Sequence, residues 1–353
     1  MLNFNIYHNT MRNFARGCIL LSLFLMACSK ASSSSDNSAL PPTNLTVNAV
    51  AAQDSSGNVS ITAKASNATT YDIDFGNGVI QTVPSGSTTY KYTAAGTYTI
   101  NVVAKSASGQ TLSANTNVTV AIKVSLVWSD EFNVDGAPDP NKWGYDIGTG
   151  SGGWGNSELE YYTNRAQNAY VQGGTLKIVA LKENYSGSAY TSAKLLSKNK
   201  YAFTYGHIDI RAKLPSGQGP WPALWMLGSN IDTAGWPACG EMDIMEANGA
   251  NSNKIYGTLH YPGHSGANGN GNTLIISNAT TAFHVYSLDW SPSAIKIYVD
   301  NQLFQTVANS SGIPFNHDFF FIMNLAIGGT FGGSVDPAFN SATMEVDYIR
   351  VYK

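Results

Sequence analysis

The chain has 353 residues, of which 12% are charged, and its formal net charge at pH 7 is −3. This length predicts two domains and a tail. The low charge content is typical of an exported all-β protein, and the small acidic excess gives no support for nucleic-acid binding, which usually shows a basic stripe. It also disfavours a strongly anionic polysaccharide as a ligand.

The beginning of the chain reads as an export signal. Arg12 and Arg16 precede an apolar run over residues 17–27. This run is shorter than the ~20 residues of a membrane-spanning helix. A basic start followed by a short apolar core is the pattern of a signal peptide, which we predict over residues 1–28.

The end of the apolar run resembles the lipobox of bacterial lipoproteins, with the order Leu25-Met26-Ala27-Cys28. The resemblance implies cleavage before Cys28 and lipidation of its sulfur, which would anchor the protein to a bacterial membrane, at the outer membrane or the cell surface. Residues 29–42 are rich in serine and suit a flexible tether. The alternative is ordinary cleavage and secretion without an anchor.

Residues 43–122 carry short strand patterns separated by turns. Apolar residues alternate with polar ones in two segments, which hold Val59, Ile61 and Ala63 and then Tyr71, Ile73 and Phe75. Glycine-containing turn signals follow at residues 76–78 and 106–109. About 80 residues in this style predict a small immunoglobulin-like β-sandwich.

Part of this region resembles a polycystic-kidney-disease-type domain, on the strength of residues 71–78, 90–92 and 96–98. Asn77 stands where that family has an aspartate. The resemblance implies a spacer with no chemistry of its own. Carbohydrate binding by its tyrosines is the alternative.

Residues 124–353 are predicted as a second all-β domain. Strand patterns recur at residues 175–181, 205–214, 283–290, 294–299, 303–307, 319–326 and 344–352. The glycine-rich stretch 148–162 is not a phosphate loop, because neither Lys-Ser/Thr nor a helical pattern follows it. Cys239 is the single cysteine of the folded part, so we expect a buried thiol and no intradomain disulfide.

Three acids in segment 239–248 are the strongest candidates for catalysis. Glu241 and Asp243 are two residues apart and point to the same side of a strand, while Met242 points to the other. Strict alternation would turn Glu246 away from them. One extra residue, a β-bulge, returns Glu246 to the acidic face.

This arrangement suits the hydrolysis of a glycosidic bond. Four effective strand steps place the Cα atoms of Glu241 and Glu246 about 13 Å apart. Two glutamates can lean together across that gap towards the carboxyl separation of about 5–5.5 Å that a retaining glycosidase needs. Asp243 between them would hydrogen-bond the nucleophile and keep the other acid protonated.

Three tryptophans precede the acids, and each has two interpretations. Trp221, Trp225 and Trp236 lie within about twenty residues upstream, among prolines and glycines. Tryptophan in a β-sandwich is more often core than a ligand platform. An indole beside a carboxylate can also stack on the apolar face of a sugar ring. We assign Trp221 and Trp236 to sugar stacking and expect Trp225 to be at least partly core.

The acids with their tryptophan-rich lead-in resemble the active-site signature of glycoside hydrolase family 16, in the laminarinase form, and the similarity extends over residues 124–353. The resemblance implies a concanavalin-like β-jelly-roll sandwich with an open cleft on a concave sheet. It implies a retaining endo-β-1,3-glucanase, with Glu241 as the nucleophile and Glu246 as the acid/base. Asp243 would position and support the pair.

The same resemblance carries over further residues. It implies that Asn156 binds a sugar hydroxyl, that Trp154 forms a wall of the cleft, and that His260 lies near the acid/base. Glu160 stands where the family usually has glutamine. Catalysis needs no cofactor, but a structural calcium on the convex side is implied, with Glu131 and Asp347 as candidate ligands.

Three alternatives stay open at this point, and one of them is a structural adhesin that would use the immunoglobulin-like domain and the tether. The same chemistry could act on mixed-linkage β-1,3/1,4-glucan or on an agarose-type galactan. A glycan-binding surface lipoprotein without catalytic activity is the alternative of another class. We expect a β-glucan polysaccharide as the partner, a membrane contact through the lipid anchor, and a monomer.

Overall fold

The computed structural model describes residues 40–353, and the chain divides into two units between Lys123 and Val124. The predicted signal peptide, the lipidation site Cys28 and most of the serine-rich linker lie outside the described residues. Within the described part, no helix has the length and apolar character needed to cross a membrane.

The first unit is a β-sandwich of seven strands. They are β1 (Thr43–Ala51), β2 (Asn58–Ser66), β3 (Thr70–Asp74), β4 (Ile80–Val83), β5 (Ser87–Lys91), β6 (Gly96–Lys105) and β7 (Thr111–Val120). One antiparallel sheet has the order β1-β2-β5 and the other the order β4-β3-β6-β7. The alternating residues predicted to point inward, from Val59 to Phe75, are all buried in its core, because side chains two apart share one face of a strand.

The second unit holds seventeen strands. The first nine are β8 (Leu126–Asp130), β9 (Gly144–Asp146), β10 (Glu160–Tyr162), β11 (Ala169–Gln172), β12 (Thr175–Tyr185), β13 (Ser188–Ser192), β14 (Lys194–Leu196), β15 (Gly206–Lys213) and β16 (Pro220–Gly228). The others are β17 (Glu241–Ala247), β18 (Lys254–His260), β19 (Asn270–Ile275), β20 (His284–Trp290), β21 (Ala294–Val299), β22 (Gln302–Ala308), β23 (Phe319–Ile327) and β24 (Ser341–Tyr352). The α-helices of the described residues are single turns, α1 (Ile231–Ala234) and α2 (Gly329–Gly332), and short 3₁₀ turns occur at Gly249–Asn251 and Gly266–Asn268.

These strands form two sheets that pack face to face. A seven-stranded sheet has the order β19-β18-β17-β16-β23-β14-β9. A ten-stranded sheet runs β10-β13-β12-β24-β15-β20-β21-β22, with β11 added on β12 and β8 on β24. Alternate residues of both sheets fill the single apolar core between them. The predicted all-β jelly roll is confirmed.

Strand β23 is buried along its whole length, which its almost entirely apolar sequence predicts. Phe319, Phe321 and Met323 enter the core between the sheets. Phe320 and Ile322 point the other way and pack with Leu196 in a small second cluster. The outer face of the seven-stranded sheet is therefore partly apolar, as the floor of a binding cleft should be.

The outer face of the ten-stranded sheet carries ionic pairs instead. His207 lies between two carboxylates, with Nε2 2.9 Å from Asp209 Oδ1 and Nδ1 2.6 Å from Asp289 Oδ1. The hydrogen bond with Asp209 and then that with Asp289 raise the pKa of His207 to about 9. An imidazolium between two aspartates ties β15 to β20.

This pair of contacts predicts a pH-dependent contribution to stability. Because the pKa of His207 is raised above its unfolded value of 6.5, the contribution is complete below pH 6.5 and is lost as the pH rises towards 9. The side chain is 36% exposed, so solvent screening reduces the effect to about 1 kcal/mol. His207→Gln should lower Tm by about 2–4 °C at pH 6.

Thermal unfolding of wild type and His207→Gln between pH 5 and 10 checks this prediction. The difference in Tm should shrink above pH 7 and be nearly gone at pH 10. His264→Gln removes an exposed histidine and serves as the control. A difference that stays constant across the range would mean that the effect of His207 is packing alone.

Candidate active site

The catalytic candidates lie on β17, which carries the predicted bulge. On one side, Leu224 pairs with Met245 and the next residue, Trp225, pairs with Asp243, so Ile244 is the extra residue. The register shifts in the same place against β18. Ile244 and Met245 consequently both enter the core, and the three acids face the opposite side of the sheet. The pairing confirms the bulge that the sequence predicts.

The bulge also sets the spacing of the two glutamates. Glu241 lies opposite Leu227 and Glu246 opposite Ala223, so their partners are four residue steps apart on β16. At about 3.3 Å per residue this is the 13 Å estimated from the sequence. Five residue steps on β17 are therefore matched by four on β16, and this difference returns the second glutamate to the acidic face.

Each glutamate is held by the ring N–H of a tryptophan. Trp236 Nε1 donates to Glu241 Oε2 at 2.9 Å, and Trp221 Nε1 donates to Glu246 Oε1 at 3.0 Å. Trp221 is only 9% exposed, whereas Trp236 is 48% exposed. Trp221 thus acts mainly as a donor in the cleft floor, and Trp236 keeps an open ring face. Their proposed role in sugar stacking stays a prediction.

Asp243 and His260 complete the acidic group. His260 on β18 lies opposite Glu241, and its Nε2 is 3.2 Å from Asp243 Oδ2 and 3.8 Å from Glu241 Oε1. Ligand atoms of these three residues all lie within 4.8 Å of one another, close enough for a metal ion. These contacts make Glu241, Asp243 and His260 one closely spaced group.

The electrostatics of this group favour a proton on at least one acid. Burial raises the pKa of Glu241, and the charge of Asp243 raises it further. Burial followed by the charge of Glu246 raises the pKa of Asp243, and burial raises that of Glu246 against the lowering effect of Trp221. Three neighbouring buried carboxylates cannot all be charged. One acid can attack while another donates a proton.

The acids lie at the floor of a cavity of about 1100 Å³. Its lining crosses the seven-stranded sheet from β19 and β18, through β17, to β16, β23 and β14. Cleft surface therefore extends to both sides of β17. All six residues predicted to bind substrate line it, namely Trp154, Asn156, Trp221, Trp225, Trp236 and His260.

One end of the cavity is built by an irregular turn over Gly153–Ser157. Trp154 has φ 55°, which brings its ring towards the cleft. Gly153 has φ 61°, and a Cβ atom there would lie 2.5 Å from the backbone nitrogen of Glu158. A side chain at residue 153 would therefore displace the turn.

Trp225 is half-buried and has a mixed environment. Its ring packs against the small outer cluster around Phe320, and its Nε1 donates to Asn324 Oδ1 at 2.8 Å. The same side chain lines the cavity. Trp225 therefore lies outside the main core between the sheets. Its ring is nevertheless packed on one side, which agrees with the expectation that it is partly core.

Several cleft residues were not found from the sequence, and Lys194, Asn324 and Phe331 are three of them. Lys194 Nζ lies 4.3 Å from the ring centre of Trp154 and 3.3 Å from Asp146 Oδ2. Asn324 is the single polar residue of β23, and Phe331 packs against Trp221 with ring centres 5.3 Å apart. A lone polar residue in an apolar strand was a usable signal for Asn324. No comparable signal marked Lys194 or Phe331, because their places in the cleft depend on the pairing of the strands.

The residues suggested for calcium are engaged with arginines. Arg350 donates to both oxygens of Glu131, at 3.0 and 2.7 Å, and Arg211 binds Asp347. Calcium takes six to eight oxygen ligands that are free to coordinate. This arrangement does not fit such a cage, and the structural calcium remains a prediction.

Cys239 directly precedes the catalytic strand but is unsuited to chemistry. Its side chain is fully buried, and burial together with the charge of Glu241 raises the pKa of its thiol to about 11. A thiol in this state is a poor nucleophile. The expectation of a buried structural cysteine is confirmed.

Buried acids on the floor of a tryptophan-lined cleft in a β-sandwich define a glycoside hydrolase. The family model "Glycosyl hydrolases family 16" matches residues 156–350, and the chain belongs to this family. A model for "Beta-glucan synthesis-associated protein SKN1/KRE6/Sbg1" also matches, over residues 64–243, and ends before Glu246.

Individual relatives agree with this assignment. The chain is 45% identical over 244 residues to the "Beta-glucanase" of Rhodothermus marinus, covering 65% of this chain and 85% of that one. It is 40% identical over 259 residues to "Glucan endo-1,3-beta-glucosidase A1" of Niallia circulans, covering 65% of this chain and 38% of that longer protein. The laminarinase structure from Rhodothermus marinus superposes with a TM-score of 0.63 at 45% identity, over 65% of this chain and 98% of that one.

Proposed function

We propose that this chain is a retaining endo-glycosidase that hydrolyses internal β-1,3-glucosidic bonds of laminarin-type β-glucans. The observation that carries the proposal is the bulged strand β17, which presents Glu241 and Glu246 on one face of the cleft. Each is oriented by a tryptophan N–H, and Asp243 lies between them. This is the two-carboxylate arrangement of glycoside hydrolysis.

In the first step the carboxylate of Glu241 attacks the anomeric carbon. The bond from that carbon to the leaving oxygen breaks, and Glu246 transfers its proton to this oxygen. Burial raises the pKa of Glu246, which favours the protonated form that this step requires. As the proton leaves, negative charge develops on Glu246, and the N–H of Trp221 stabilises it.

In the second step water releases the sugar from Glu241. Glu246, now a carboxylate, removes a proton from the water as its oxygen attacks the anomeric carbon. The bond to Glu241 breaks, and both residues return to their starting states. The N–H of Trp236 stabilises the departing carboxylate of Glu241 through a hydrogen bond. Two displacements give net retention of configuration.

The position of the acids supports cleavage inside a chain. Strand β17 is third in the series of six strands that line the cleft, with β19 and β18 on one side and β16, β23 and β14 on the other. A polymer can therefore contact the protein on both sides of the scissile bond. An exo-acting enzyme would need a wall close to the acids on one side.

The choice of β-1,3-glucan is supported by the relatives. One relative whose name states the linkage is the Niallia circulans glucan endo-1,3-beta-glucosidase A1. The superposed structure from Rhodothermus marinus is a laminarinase. Mixed-linkage β-1,3/1,4-glucan and an agarose-type galactan are the competing substrates, and a non-catalytic glycan-binding protein is the competing class. The set of three acids argues against the last, because a lectin needs no paired nucleophile and proton donor.

Product analysis tests the proposal. The wild-type chain should convert laminarin to a ladder of short oligosaccharides, with a rapid early fall in polymer length. Mixed-linkage glucan should be cleaved more slowly and agarose not at all. Cleavage of agarose alone would overturn the substrate while keeping the mechanism. Binding of glucan without any cleavage would leave the lectin interpretation.

We also propose that the chain is exported and lipid-anchored through Cys28, and that the first unit is a polycystic-kidney-disease-type spacer. The basic start, the apolar run and the lipobox-like order support the anchor. The aromatic residues of the first unit support a spacer, because Tyr90 stacks on Phe75 with ring centres 3.9 Å apart and Tyr92 stacks on Tyr98. These rings pack against each other and so offer little open face to a sugar.

A further inference from the structure

Two neighbouring carboxyl groups at one end of the cleft are not explained by the mechanism. Glu160, on β10, has a fully buried side chain whose Oε2 accepts the backbone N–H of Ile327 at 2.6 Å. No hydrogen-bond donor from the described part of the chain reaches its Oε1. The carboxyl group next to it is that of Glu158, which is close enough to share a hydrogen bond.

Glu158 is the common acceptor of several donors. Asn156 Nδ2 donates to its Oε1 at 3.2 Å, and the hydroxyl of Tyr162 donates to its Oε2 at 2.9 Å. The direction of the second bond is fixed, because Tyr162 itself accepts from Asn324 Nδ2 at 2.9 Å, and Asn324 in turn accepts from Trp225. Every donor in this series points towards Glu158. A charged carboxylate is therefore the acceptor that fits the position of Glu158.

The two acids cannot both be charged. Burial raises the pKa of Glu160 well above its ordinary value, and the charge of Glu158 raises it further. A protonated Glu160 has a donor on the oxygen that otherwise has no partner, and Glu158 is the acceptor within reach. One proton shared by the pair therefore gives every buried polar atom of the two carboxyl groups a hydrogen-bond partner.

We propose that Glu158 and Glu160 form a carboxylate and carboxylic acid pair, in which Glu160 Oε1 carries the proton and donates it to Glu158, and that the charged Glu158 orients the amide of Asn156 towards the substrate. Glu158 and Asn156 both line the cavity, whereas Glu160 lies behind them. With Nδ2 held by Glu158, Asn156 presents its Oδ1 to the cleft as an acceptor for a sugar hydroxyl. The second half of the proposal rests on the proposed function.

Other titratable groups around the pair agree with this distribution of charge. Tyr162 stays a neutral donor, since burial raises its pKa and the charge of Glu158 raises it further. The charge of Glu158 also helps to raise the pKa of Glu246, which keeps that acid protonated. Lys194 lines the same end of the cavity, and its ammonium is paired with Asp146.

The shared proton is tested by the pH dependence of stability, which needs no activity. The folded chain holds the proton of Glu160 above pH 4.5, whereas the unfolded chain releases it, so wild type should lose stability as the pH rises. Glu160→Gln keeps an N–H donor for Glu158 and an oxygen for Ile327 and has no proton to lose. Above pH 4.5, the Tm of this variant should rise relative to that of wild type by about 3 °C per pH unit, until the pH passes the raised pKa of Glu160 in the folded chain.

A difference in Tm that does not change with pH would overturn the pair, because Glu160 would then be ionised in the folded chain as well. If Glu160→Gln does not fold, Glu160→Met replaces it in the same comparison, since methionine also carries no titratable proton. Glu241, Asp243 and Glu246 are present in all of these chains, so their own titration cancels in the difference.

The positioning role is tested by binding of laminaritetraose in a Glu241→Gln background, where cleavage cannot interfere. Glu158→Gln and Asn156→Ala should each weaken binding about five- to tenfold. The double variant should be no weaker than either single one, because Glu158 acts through Asn156. Additive losses would overturn the positioning role. Failure of the background chain to bind would overturn that role together with the proposed function, while the Tm comparison would still decide the pair.

Discussion

Glu241→Gln is expected to lower kcat on laminarin by about 10⁴-fold or more, with little change in KM. The amide has nearly the shape of the carboxylate, and its oxygen can still accept the N–H of Trp236. It cannot attack the anomeric carbon, so the covalent step is lost while binding is kept. Steady-state kinetics and a laminaritetraose titration of the same preparation measure the two effects separately.

A smaller replacement distinguishes a nucleophile from a residue that only supports the fold. Glu241→Ala leaves a space beside the anomeric carbon, into which a small anion such as azide can enter. Added azide should restore turnover of a substrate with a good leaving group and give a glycosyl azide of inverted configuration. Asp243→Ala is the matched control on the same strand, and azide should not rescue it in this way. Rescue of neither variant would contradict the assignment of Glu241.

Much of the site could be predicted because its information is local. The alternation of Glu241, Met242 and Asp243 fixes which side chains share a face, and the position of Glu246 then requires one extra residue. The pairing of β16 with β17 shows this residue to be Ile244. A bulge costs one unpaired residue, and here both Ile244 and Met245 gain burial in the core.

The rest of the cleft depends on contacts between distant segments. Lys194 and Asn324 are adjacent because β14 pairs with β23, across 130 residues of sequence that carry no sign of the pairing. Phe331 reaches Trp221 from the turn after β23. Sequence periodicity gives the face of a residue within its own strand, but the order of strands in a sheet decides which faces meet.

The tryptophans show a second limit of sequence reasoning. Their number and their nearness to the acids indicate a sugar cleft, and all three line it. Their ring nitrogens nevertheless have separate roles, since Trp221 and Trp236 donate to the two glutamates and Trp225 donates to Asn324. The direction of an N–H depends on side-chain rotation, which composition and spacing do not determine.

Glu246→Gln is expected to lower kcat on laminarin by about 10²–10⁴-fold, because the leaving sugar oxygen then receives no proton. An aryl glycoside of laminaribiose with a dinitrophenolate leaving group needs no such proton. Its first step should stay within about tenfold of wild type. Its second step should be slow, because no base activates the water, so a burst of released phenol equal to the enzyme concentration should precede slow turnover.

The pH profile gives an independent check of this role. Since burial raises the pKa of Glu246, wild-type kcat/KM on laminarin should fall on the alkaline side as the pH passes that raised value and the acid loses its proton. With the aryl glycoside, Glu246→Gln should show no such fall, because the group that titrates is gone. Glu183→Gln, which removes an acid that Arg165 binds, should keep the alkaline limb of wild type and serves as the control. An alkaline limb retained in Glu246→Gln would assign the proton donor to another residue, and Asp243, the other buried acid on β17, would be the next candidate.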